Sequence, residues 1–369
     1  MNRKPTAIMI LSQDNCDHVF GERALAELAE GLNLVTIVAP VTGARLTANT
    51  AALRHAEILI CGWGSPCFDE HFLAAAPNLK AIFYAAGGMG GALTPAVWER
   101  NIVVTSANAI NAIPVAEYTL STILFSLKHG WRMVRETRRQ KRFVDRDDVP
   151  GAFGSVVGLV SLGEIARRVI SLLAPFELKL IAYDPFVSQA VAARLGITLV
   201  DSLDELFARA DVVSVHTPCL PETRGMIHGR HLDFMKRGAT FINTARATIV
   251  RQSELIEVAE RRSDLQFVLD VADPEPPAAD SPLYTLANVV LTPHIAGSVG
   301  PERRRLGRFI VEEIKRYLAG EPLQGLVTPE TARHSAHRPM GVTVETFTHL
   351  HSKWLGRRNG SAVTQTQGS

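Results

Sequence analysis

The sequence predicts an α/β fold in which two doubly wound domains are built on parallel sheets. Between Ser155 and Ile295, six short apolar runs each stop at a polar residue, and most are separated by stretches long enough for a helix. Near-continuous Val, Ile and Leu runs are typical of strands buried on both faces, and strands that alternate with helices form a parallel sheet. Ligands bind outside the carboxyl ends of such strands, so we expect the six polar residues to face one crevice: Ser161, Asp184, His216, Arg246, Asp270 and His294.

A first α/β unit of the same kind is predicted over residues 6–112. Two domains are also what a chain of 369 residues favours. Helical patterns such as Gly21–Ala29 and Asp69–Ala75 lie between its candidate strands. These strands are Ala7–Leu11, Leu34–Val38, Ile58–Cys61, Ala81–Tyr84 and Ile102–Thr105.

The segment that joins the two units begins with a predicted helix. Pro114 suits the first turn of a helix from about Ile113 to Lys128, because its missing N–H is harmless there. Arg132–Arg146 is basic and loop-like. A phosphate-binding patch, a solvated loop and a subunit contact are alternative interpretations of it.

The C-terminal part is predicted to hold one more helix and a tail. Pro301–Leu318 has a helical pattern, and Gly320 is placed to end it. Residues 334–369 are rich in polar and basic residues without periodicity, which predicts disorder.

Composition excludes some classes of protein. A net charge of +2 gives no argument for nucleic acid or an anionic membrane, and no window is expected to be apolar enough for a membrane span. The N-terminal apolar stretch is interpreted as a strand and not a signal peptide. The cysteines have no CxxC spacing, which indicates free thiols in a reducing cytoplasm and no metal site: Cys16, Cys61, Cys67 and Cys219.

The loop after Val156–Val160 lies where a dinucleotide loop would lie. The run from Ser161 to Ala166 takes the place of a G-x-G-x-x-G motif, with Ser for its first glycine and Ala for its third. Gly163 would let the backbone approach a pyrophosphate at the N-terminus of the next helix. The alternative is a strand–turn–helix unit that binds nothing.

Asp184 favours the nucleotide interpretation. It lies 21 residues beyond Gly163, at the end of the next predicted strand. A carboxylate there accepts hydrogen bonds from the adenosine ribose and repels a 2′-phosphate, so the predicted cofactor is NAD and not NADP. The alternative is a turn or cap residue before Pro185.

Arg246, Glu275 and His294 fit one reaction, hydride transfer between a nicotinamide and a carbonyl beside a carboxylate. Because the cofactor carries the hydride, the protein need only orient the substrate, polarise the carbonyl and move a proton. Imidazole titrates near neutral pH, so His294 is the candidate acid–base, and Glu275 would hold one tautomer. Arg246 presents a planar fork to a carboxylate.

Each of these residues also has a structural interpretation. Arg246 could pair with a structural acid, Glu275 could be a solvated turn residue, and His294 could be satisfied at a strand end. Their joint position downstream of a nucleotide loop favours catalysis. We expect His216 to line the cofactor site or brace a turn, and Asp270 to contact the nicotinamide amide or cap its loop.

Several motifs resemble those of the D-isomer-specific 2-hydroxyacid dehydrogenases, relatives of phosphoglycerate, glyoxylate/hydroxypyruvate and formate dehydrogenases. The likeness covers residues from about 55 to 325, and the spacing of 29 residues between Arg246 and Glu275 suits the family. The motifs are Tyr183-Asp-Pro185, His216-Thr-Pro218 with Thr223, Ile242-Asn-Thr-Ala-Arg246, Leu269-Asp-Val271 followed by Pro274-Glu-Pro276, and Thr292-Pro-His-Ile-Ala-Gly297.

The resemblance implies an NAD-dependent enzyme that interconverts a small 2-oxo acid and its D-2-hydroxy acid. Arg246, Glu275 and His294 would be the catalytic set. Substrate would contact Arg246, His294 and the segment Gly87, Gly88 and Met89. The family pattern places cofactor contacts at Ser161, Gly163, Glu164, Ile165, Asp184, His216, Thr217, Pro218, Thr223, Thr244, Ala245, Arg246, Asp270, His294, Ala296 and Gly297.

The resemblance also implies the domain organisation. Residues 1–112 and 298–333 would form a discontinuous substrate domain, and residues 113–297 a Rossmann-like NAD-binding domain. The chain would cross at Val115-Ala-Glu117 and return through the helix near Pro301. The usual assembly of the family is a homodimer formed through the nucleotide domains.

Some positions depart from the family pattern. Ser161 replaces the first fingerprint glycine, and Gly88-Met-Gly-Gly91 replaces a Gly-Val-Asp-Asn loop whose N–H groups hold the substrate carboxylate. The added glycines predict a softer loop and leave the substrate open. Ala247 and Arg251 replace an expected glycine and an expected aspartate.

Other classes of function are kept as alternatives. A relative acting on formate or an inorganic oxyanion is disfavoured, because such sites are expected to carry Gln where Glu275 stands. A non-catalytic NAD(H)-sensing protein of the same fold is disfavoured by the complete catalytic set and kept open by the altered loops. The third alternative is a structural α/β protein that binds no NAD.

Overall fold

The computed structural model describes residues 3–38 and 50–332 of the chain. Residue contacts divide it into two compact units. Unit 1 comprises the described parts of Met1–Asn111 and Val299–Ser369, and unit 2 is Ala112–Ser298. The expected disordered tail, residues 334–369, lies outside the described residues. Unit 1 is thus made from two chain segments, whereas unit 2 is continuous.

Unit 1 is built on a six-stranded sheet. Its strands, numbered along the whole chain, are β1 (Thr6–Leu11), β2 (Asn33–Val38), β3 (Ile58–Cys61), β4 (Ala81–Tyr84), β5 (Val103–Ser106) and β13 (Leu326–Val327). The order is β13-β5-β4-β3-β1-β2, and every pair is parallel except β13 with β5. The expected strands are confirmed to within one residue at each end. The sheet grows from β1 to one side through β2 and to the other side through β3, so its switch point lies between β1 and β3.

Helices cover both faces of the sheet in unit 1. One core cluster contains Phe72 and Trp98, and another contains Phe20 and Ile310. Strands β3 and β4 are buried along their whole length because both faces are covered. The α-helices are α1 (Gln13–Asn15), α2 (Gly21–Gly31), α3 (Thr50–Leu53), α4 (Glu70–Ala75), α5 (Pro95–Glu99), α13 (Arg303–Ala319) and α14 (Pro329–Ala332), with a π-helix at Cys16–Phe20 and 3₁₀ turns at Gly90–Ala92 and Gly300–Glu302.

The second chain segment of unit 1, residues 299–332, is held against the first segment by close packing, and a buried carboxylate fixes its path. A Cβ at Gly307 of α13 would overlap the carbonyl oxygen of Val19, so only glycine allows this approach. Glu313 is fully buried, and its carboxylate accepts hydrogen bonds from the N–H groups of Gln324 (3.1 Å) and Gly325 (2.9 Å) and from Arg316 (3.0 Å). These bonds direct the chain from α13 into β13. Gly320 ends α13 with φ +71°, as expected.

Unit 2 is built on a seven-stranded parallel sheet. Its order is β12-β11-β10-β9-β6-β7-β8, with β6 (Val156–Val160), β7 (Lys179–Tyr183), β8 (Thr198–Leu199), β9 (Val212–Val215), β10 (Thr240–Asn243), β11 (Gln266–Leu269) and β12 (Val289–Leu291). The six apolar runs are confirmed as strands. The two-residue β8 was missed, because it is too short to make an apolar run. This order reverses at β6, as in dinucleotide-binding sheets.

Helices pack on both faces of this sheet as well, in two core clusters. Unit 2 therefore has the predicted doubly wound α/β architecture with a parallel sheet. Its α-helices are α6 (Asn108–Leu127), which begins in unit 1, α7 (Gly130–Gln140), α8 (Glu164–Leu173), α9 (Gln189–Arg194), α10 (Leu203–Arg209), α11 (Gly229–Asp233) and α12 (Gln252–Arg261), with 3₁₀ turns at Ala247–Ile249 and Pro282–Tyr284.

Two predicted elements near the start of unit 2 were wrong. Helix α6 begins at Asn108, so Pro114 lies inside the helix and not in its first turn. The basic stretch from Arg132 is largely helical, because α7 runs to Gln140. Trp131 anchors α7 through an edge-to-face contact with Phe125, with ring centroids 4.6 Å apart. This tertiary contact is not visible in the composition of the stretch.

The expectation that no segment passes as a membrane span was also wrong. By length and composition alone, α6 is apolar enough to cross a membrane. Half of the tested window is buried inside the protein, and Ile123 and Leu127 belong to a core cluster of unit 2. The core helix of a soluble protein passes the same test, so the apolar character of α6 is explained by packing.

Candidate active site

The loop between β6 and α8 leaves a helix N-terminus open. Gly163 is the N-cap of α8, and no side chain caps the helix. A Cβ at Gly163 would meet no other atom within 4 Å, so no other described group packs against this residue. Unpaired N–H groups and the helix dipole make such an N-terminus suitable for a phosphate. Ala166 is fully buried against the sheet, which its small side chain permits.

Ser161 adopts a left-handed backbone conformation that glycine adopts more readily. Its φ is +73°, a left-handed conformation that costs a serine about 1–2 kcal/mol. Its N–H donates to the carbonyl of Tyr183 (2.9 Å), and its Oγ lies 2.9 Å from Oγ1 of Thr217. These bonds hold the strained residue in place. Glu164 and Ile165 follow in the first turn of α8, and Glu164 accepts a hydrogen bond from Arg168 (3.0 Å).

Asp184 follows β7 and braces the same loop. Its Oδ2 accepts the N–H of Leu162, and its Oδ1 accepts the N–H of Phe186, both at 2.8 Å. A carboxylate has about four acceptor positions, so it can still accept ribose hydroxyls. The two interpretations of Asp184, turn residue and ribose ligand, are therefore compatible.

The segment after β9 is fixed by hydroxyl groups. Oγ1 of Thr217 donates to the carbonyl of Val160 (3.4 Å). Oγ1 of Thr223 donates to the carbonyl of Pro218 (2.6 Å) and accepts the N–H of Leu220 (2.8 Å). Thr223 thus closes a turn at the carboxyl edge of the sheet.

Arg246 lies three residues beyond β10. The amide side chain of Asn243 fixes its loop by accepting the N–H of Ala245 (3.0 Å) and donating to the carbonyl of Arg246 (3.1 Å). Thr244 is buried, with Oγ1 3.5 Å from that of Thr119. Nη1 of Arg246 donates to the carbonyl of Ala245 (2.6 Å), and no carboxylate in residues 3–38 or 50–332 forms an ion pair with it. Its charge is thus not used by a structural acid.

The side chains of Glu275 and His294 are in contact. Oε1 of Glu275 lies 2.6 Å from Nδ1 of His294, and both side chains are slightly less than half exposed, at 45% and 42%. The bond places the carboxylate on Nδ1 and leaves Nε2 for another partner. His294 has φ +53°, a left-handed conformation, and its N–H donates to the carbonyl of Thr292 (3.0 Å). Strained backbone of this kind persists where the surroundings fix it.

Asp270 fixes the backbone around His294. It is 1% exposed and follows β11. Its Oδ1 accepts the N–H of Ile295 (2.8 Å) and the hydroxyl of Thr292 (2.6 Å), and its Oδ2 accepts the N–H of Ala296 (2.8 Å). The hydroxyl of Tyr118 on α6 lies 2.9 Å from Oγ1 of Thr292. One buried carboxylate thus holds the loop on both sides of His294.

The expected substrate segment follows β4 in unit 1. A Cβ at Gly87 would lie 2.8 Å from Nδ2 of Asn111, and the carbonyl of Gly87 accepts the hydroxyl of Ser106 (3.3 Å). Met89 is buried, at 4% exposed. Gly88 lies between these two anchored residues. Packing therefore limits the backbone freedom of the Gly87–Met89 segment, despite its two glycines.

Comparison with known proteins agrees with this geometry. The NAD-binding domain of D-isomer specific 2-hydroxyacid dehydrogenases matches residues 120–296, which is nearly all of unit 2. The D-3-phosphoglycerate dehydrogenase of Mycobacterium tuberculosis is 36% identical over 274 residues. Unit 2 belongs to the D-isomer specific 2-hydroxyacid dehydrogenase family. The match to that relative covers 73% of this chain and 51% of the relative, so the chain spans about half the length of the curated relatives.

One more relative and two solved structures are also similar to this chain. The D-3-phosphoglycerate dehydrogenase of Methanocaldococcus jannaschii is 30% identical over 279 residues, covering 74% of this chain and 52% of the relative. The crystal structure of TT0316 protein from Thermus thermophilus has a TM-score of 0.69 at 28% identity, over 88% of this chain and 100% of that one. D-lactate dehydrogenase from Aquifex aeolicus, complexed with NAD and lactic acid, has a TM-score of 0.66 at 25% identity, over 85% and 96% of the two chains.

Unit 2 is an NAD-binding domain of this family, and NAD is its cofactor. The residues present fit that group. The open N-terminus before Gly163 suits a pyrophosphate, and Asp184 follows the neighbouring strand with acceptor positions free for a ribose. In residues 3–38 and 50–332, no group of three or more His, Cys, Asp or Glu side chains is arranged to hold a metal ion.

The sequence analysis missed two residues of unit 2 that position other residues of the candidate site. Asn243 fixes the loop of Arg246, and its place at a strand end, inside a quoted motif, was a usable signal. Tyr118 bonds to Thr292 from the middle of a long apolar helix, where no pattern marks it. Asp270 was expected at the cofactor or capping its loop, and its three bonds establish the capping role.

His216 gives a prediction for the pH dependence of stability. Burial lowers its pKa from 6.5 to about 4, and its Nε2 lies 3.1 Å from Oγ of Ser214. Below pH 6.5 the unfolded imidazole takes a proton that the folded one does not. We therefore expect the contribution of His216 to the free energy of unfolding to fall by about 3 kcal/mol between pH 6.5 and pH 4, and to stay constant below pH 4. Urea denaturation across this range, with His216→Gln as the matched control, measures the contribution; equal pH slopes for both proteins would contradict it.

Proposed function

We propose that the chain is an NAD-dependent dehydrogenase that interconverts a small 2-oxo acid and its D-2-hydroxy acid. The observation that carries the proposal is the 2.6 Å contact between Glu275 and His294, in a domain of this family whose nucleotide loop is open. The relatives named above are dehydrogenases of phosphoglycerate and lactate. Both substrates are 2-hydroxy acids.

In the proposed reaction the protein moves a proton. NAD, when bound, takes or supplies the hydride. During reduction, Nε2 of His294 donates a proton to the carbonyl oxygen, and during oxidation it accepts the proton of the hydroxyl. Glu275 on Nδ1 fixes the tautomer and stabilises the imidazolium. In unit 2, the Arg246 guanidinium binds the substrate carboxylate and polarises the carbonyl. For unit 1, binding of a substrate carboxylate by the N–H groups of the Gly87–Met89 segment stays a prediction.

The test is NADH consumption with a panel of 2-oxo acids, beside cofactor binding measured by NADH fluorescence. Glyoxylate, pyruvate, hydroxypyruvate and phenylpyruvate vary the side chain at a fixed 2-oxo acid group. We expect turnover of at least one of them and formation of the D-isomer. Cofactor binding without turnover of any member would contradict the proposal and favour the NAD(H)-sensing alternative.

Replacing Asp184 by alanine is expected to weaken NAD binding by about 10- to 100-fold, because charge-assisted hydrogen bonds to the ribose are lost. Discrimination against NADP should relax at the same time, since the repelling charge is removed. Dissociation constants for NADH and NADPH measure both effects. Asp184→Asn is the control, because it removes the charge and keeps an acceptor oxygen for one of the two bonds from Leu162 and Phe186. An unchanged ratio of the two constants in both variants would count against the ribose role.

We also propose a homodimer formed through unit 2. Val134 on α7, Phe143 and Phe153 are 48%, 92% and 78% exposed. These three side chains lie within one stretch of 20 residues of unit 2, and large exposed apolar groups are typical of an interaction surface. Sedimentation equilibrium tests the assembly, and a monomer at micromolar concentration would contradict it.

A cytoplasmic location is proposed on the state of the cysteines. Cys16, Cys61, Cys67 and Cys219 are all free thiols. Free thiols persist in a reducing compartment. Cell fractionation would test the location.

A further inference from the structure

The switch point of the sheet in unit 1 lies between β1 and β3. Ligands of such sheets bind outside the carboxyl ends of the strands at the switch point. The segment after β3 therefore borders the ligand position, beside the Gly87–Met89 segment after β4. The two strand ends are neighbours, because Cys61 pairs with Tyr84.

The segment after β3 is a rigid turn. The N–H of Ser65 donates to the carbonyl of Gly62 (3.1 Å), and the hydroxyl of Ser65 accepts the N–H of Gly62 (3.1 Å). Gly64 has φ +82°, as the third residue of a type II turn requires. A Cβ at Gly62 would lie 3.0 Å from Leu11 and 3.6 Å from the carbonyl of Ala85, so the turn lies close against the ends of β1 and β4.

Trp63 occupies the second position of this turn, at its tip. Its side chain is 37% exposed, and it forms no hydrogen bond or ring contact with residues 3–38 or 50–332. A large apolar ring held on a fixed backbone next to a ligand position offers contact area at little entropic cost.

The charges of this edge do not suit a phosphate. Gly62–Asp69 and Ala85–Gly91, which follow β3 and β4, contain no lysine or arginine. Their one acid, Asp69, caps α4 by accepting the N–H of Phe72 (2.8 Å). Beyond β1, the guanidinium of Arg303 is bonded to Asp14 (3.3 Å). A dianionic phosphate is normally bound by arginine, lysine or a helix N-terminus.

We propose that Trp63 forms the subsite for the substrate side chain, and that the chain prefers 2-oxo acids with an aromatic or bulky apolar side chain to phosphorylated ones. This inference rests on the proposed function. It separates the chain from the relatives named D-3-phosphoglycerate dehydrogenase. The ring stacks on or packs against the substituent at the third carbon, while the carboxylate is bound by the backbone after β4.

The experiment compares kcat/KM for phenylpyruvate, pyruvate and 3-phosphohydroxypyruvate in the full chain and its variants. We expect phenylpyruvate to exceed each of the other two by about 10-fold or more. Trp63→Ala should lower kcat/KM for phenylpyruvate by about 10- to 100-fold and change that for pyruvate by less than about 3-fold. Trp63→Phe should retain most of the preference. Phe234→Ala, which removes a 50% exposed ring from unit 2, should change none of the three values.

A preference for 3-phosphohydroxypyruvate in the unmodified chain would overturn the inference and leave the proposed function standing. An equal loss for phenylpyruvate and pyruvate in Trp63→Ala would also overturn it, since it would show a structural role. Absence of turnover for every 2-oxo acid would instead refute the proposed function, and this inference with it.

Discussion

Replacing His294 by alanine is expected to lower kcat by about 10³-fold, within the range known for loss of a general acid–base. The affinity for NADH should change by less than about 3-fold, because imidazole contributes proton transfer and not pyrophosphate contacts. The contact of Nδ1 with Glu275 at 2.6 Å is the basis for expecting Nε2 to be the working nitrogen. Single-turnover kinetics and NADH fluorescence separate the two quantities. Retention of the unmodified rate would refute the role of His294.

Glu275 supplies the matched test of the pair. Glu275→Gln keeps the size of the side chain and removes its charge, so we expect a smaller loss of kcat than for His294→Ala. The double variant His294→Ala/Glu275→Gln should be no slower than His294→Ala alone, because residues that act as one unit are not additive. Full additivity of the two losses would show that Glu275 acts independently of His294.

The second large effect is expected at Asp270. Asp270→Ala leaves the hydroxyl of Thr292 and the N–H groups of Ile295 and Ala296 without their buried acceptor. Each unsatisfied buried donor costs about 1–3 kcal/mol, and partial access of water lowers the sum. We expect the free energy of unfolding to fall by about 3 kcal/mol. Turnover should fall as well, because the strained backbone of His294 loses its support. Urea denaturation and kcat measure the two effects.

Two milder variants control for general damage. Asp270→Asn keeps one acceptor oxygen and should lose less stability than Asp270→Ala. Tyr118→Phe removes one hydroxyl from the same network, and we expect it to cost about 1 kcal/mol. Unchanged stability and turnover in Asp270→Ala would mean that water replaces the carboxylate, and that the loop of His294 does not depend on it.

Much of the fold could be predicted because the strands are buried on both faces. The apolar runs that became β6 and β9 stand out for that reason, and the residues after them mark the carboxyl edge of the sheet. Where packing partners come from distant parts of the chain, prediction failed. The composition of α7 indicated a loop, because the contact between Trp131 and Phe125 that anchors it cannot be read from periodicity.

The candidate site divides in the same way. Arg246 and His294 could be placed near one sheet edge, because each follows a strand. Glu275 lies in a proline-rich loop without periodicity, so its contact with His294 depends on a loop path that the sequence leaves open. For Asp270, the sequence predicted the position at a strand end but not its hydrogen-bond partners. Which N–H groups it accepts is decided by the fold of the 292–296 loop.

The division of unit 1 into two segments has a consequence for protein synthesis. Residues 112–298 leave the ribosome before α13 and β13 emerge from it. Until then the edge of β5 lacks the strand that pairs with it, and Phe20 and Val19 lack the helix that packs on them. Unit 2 can therefore complete its folding on the ribosome first. The nascent N-terminal segment, with its unpaired edge and uncovered apolar face, is the part on which we expect chaperones to act.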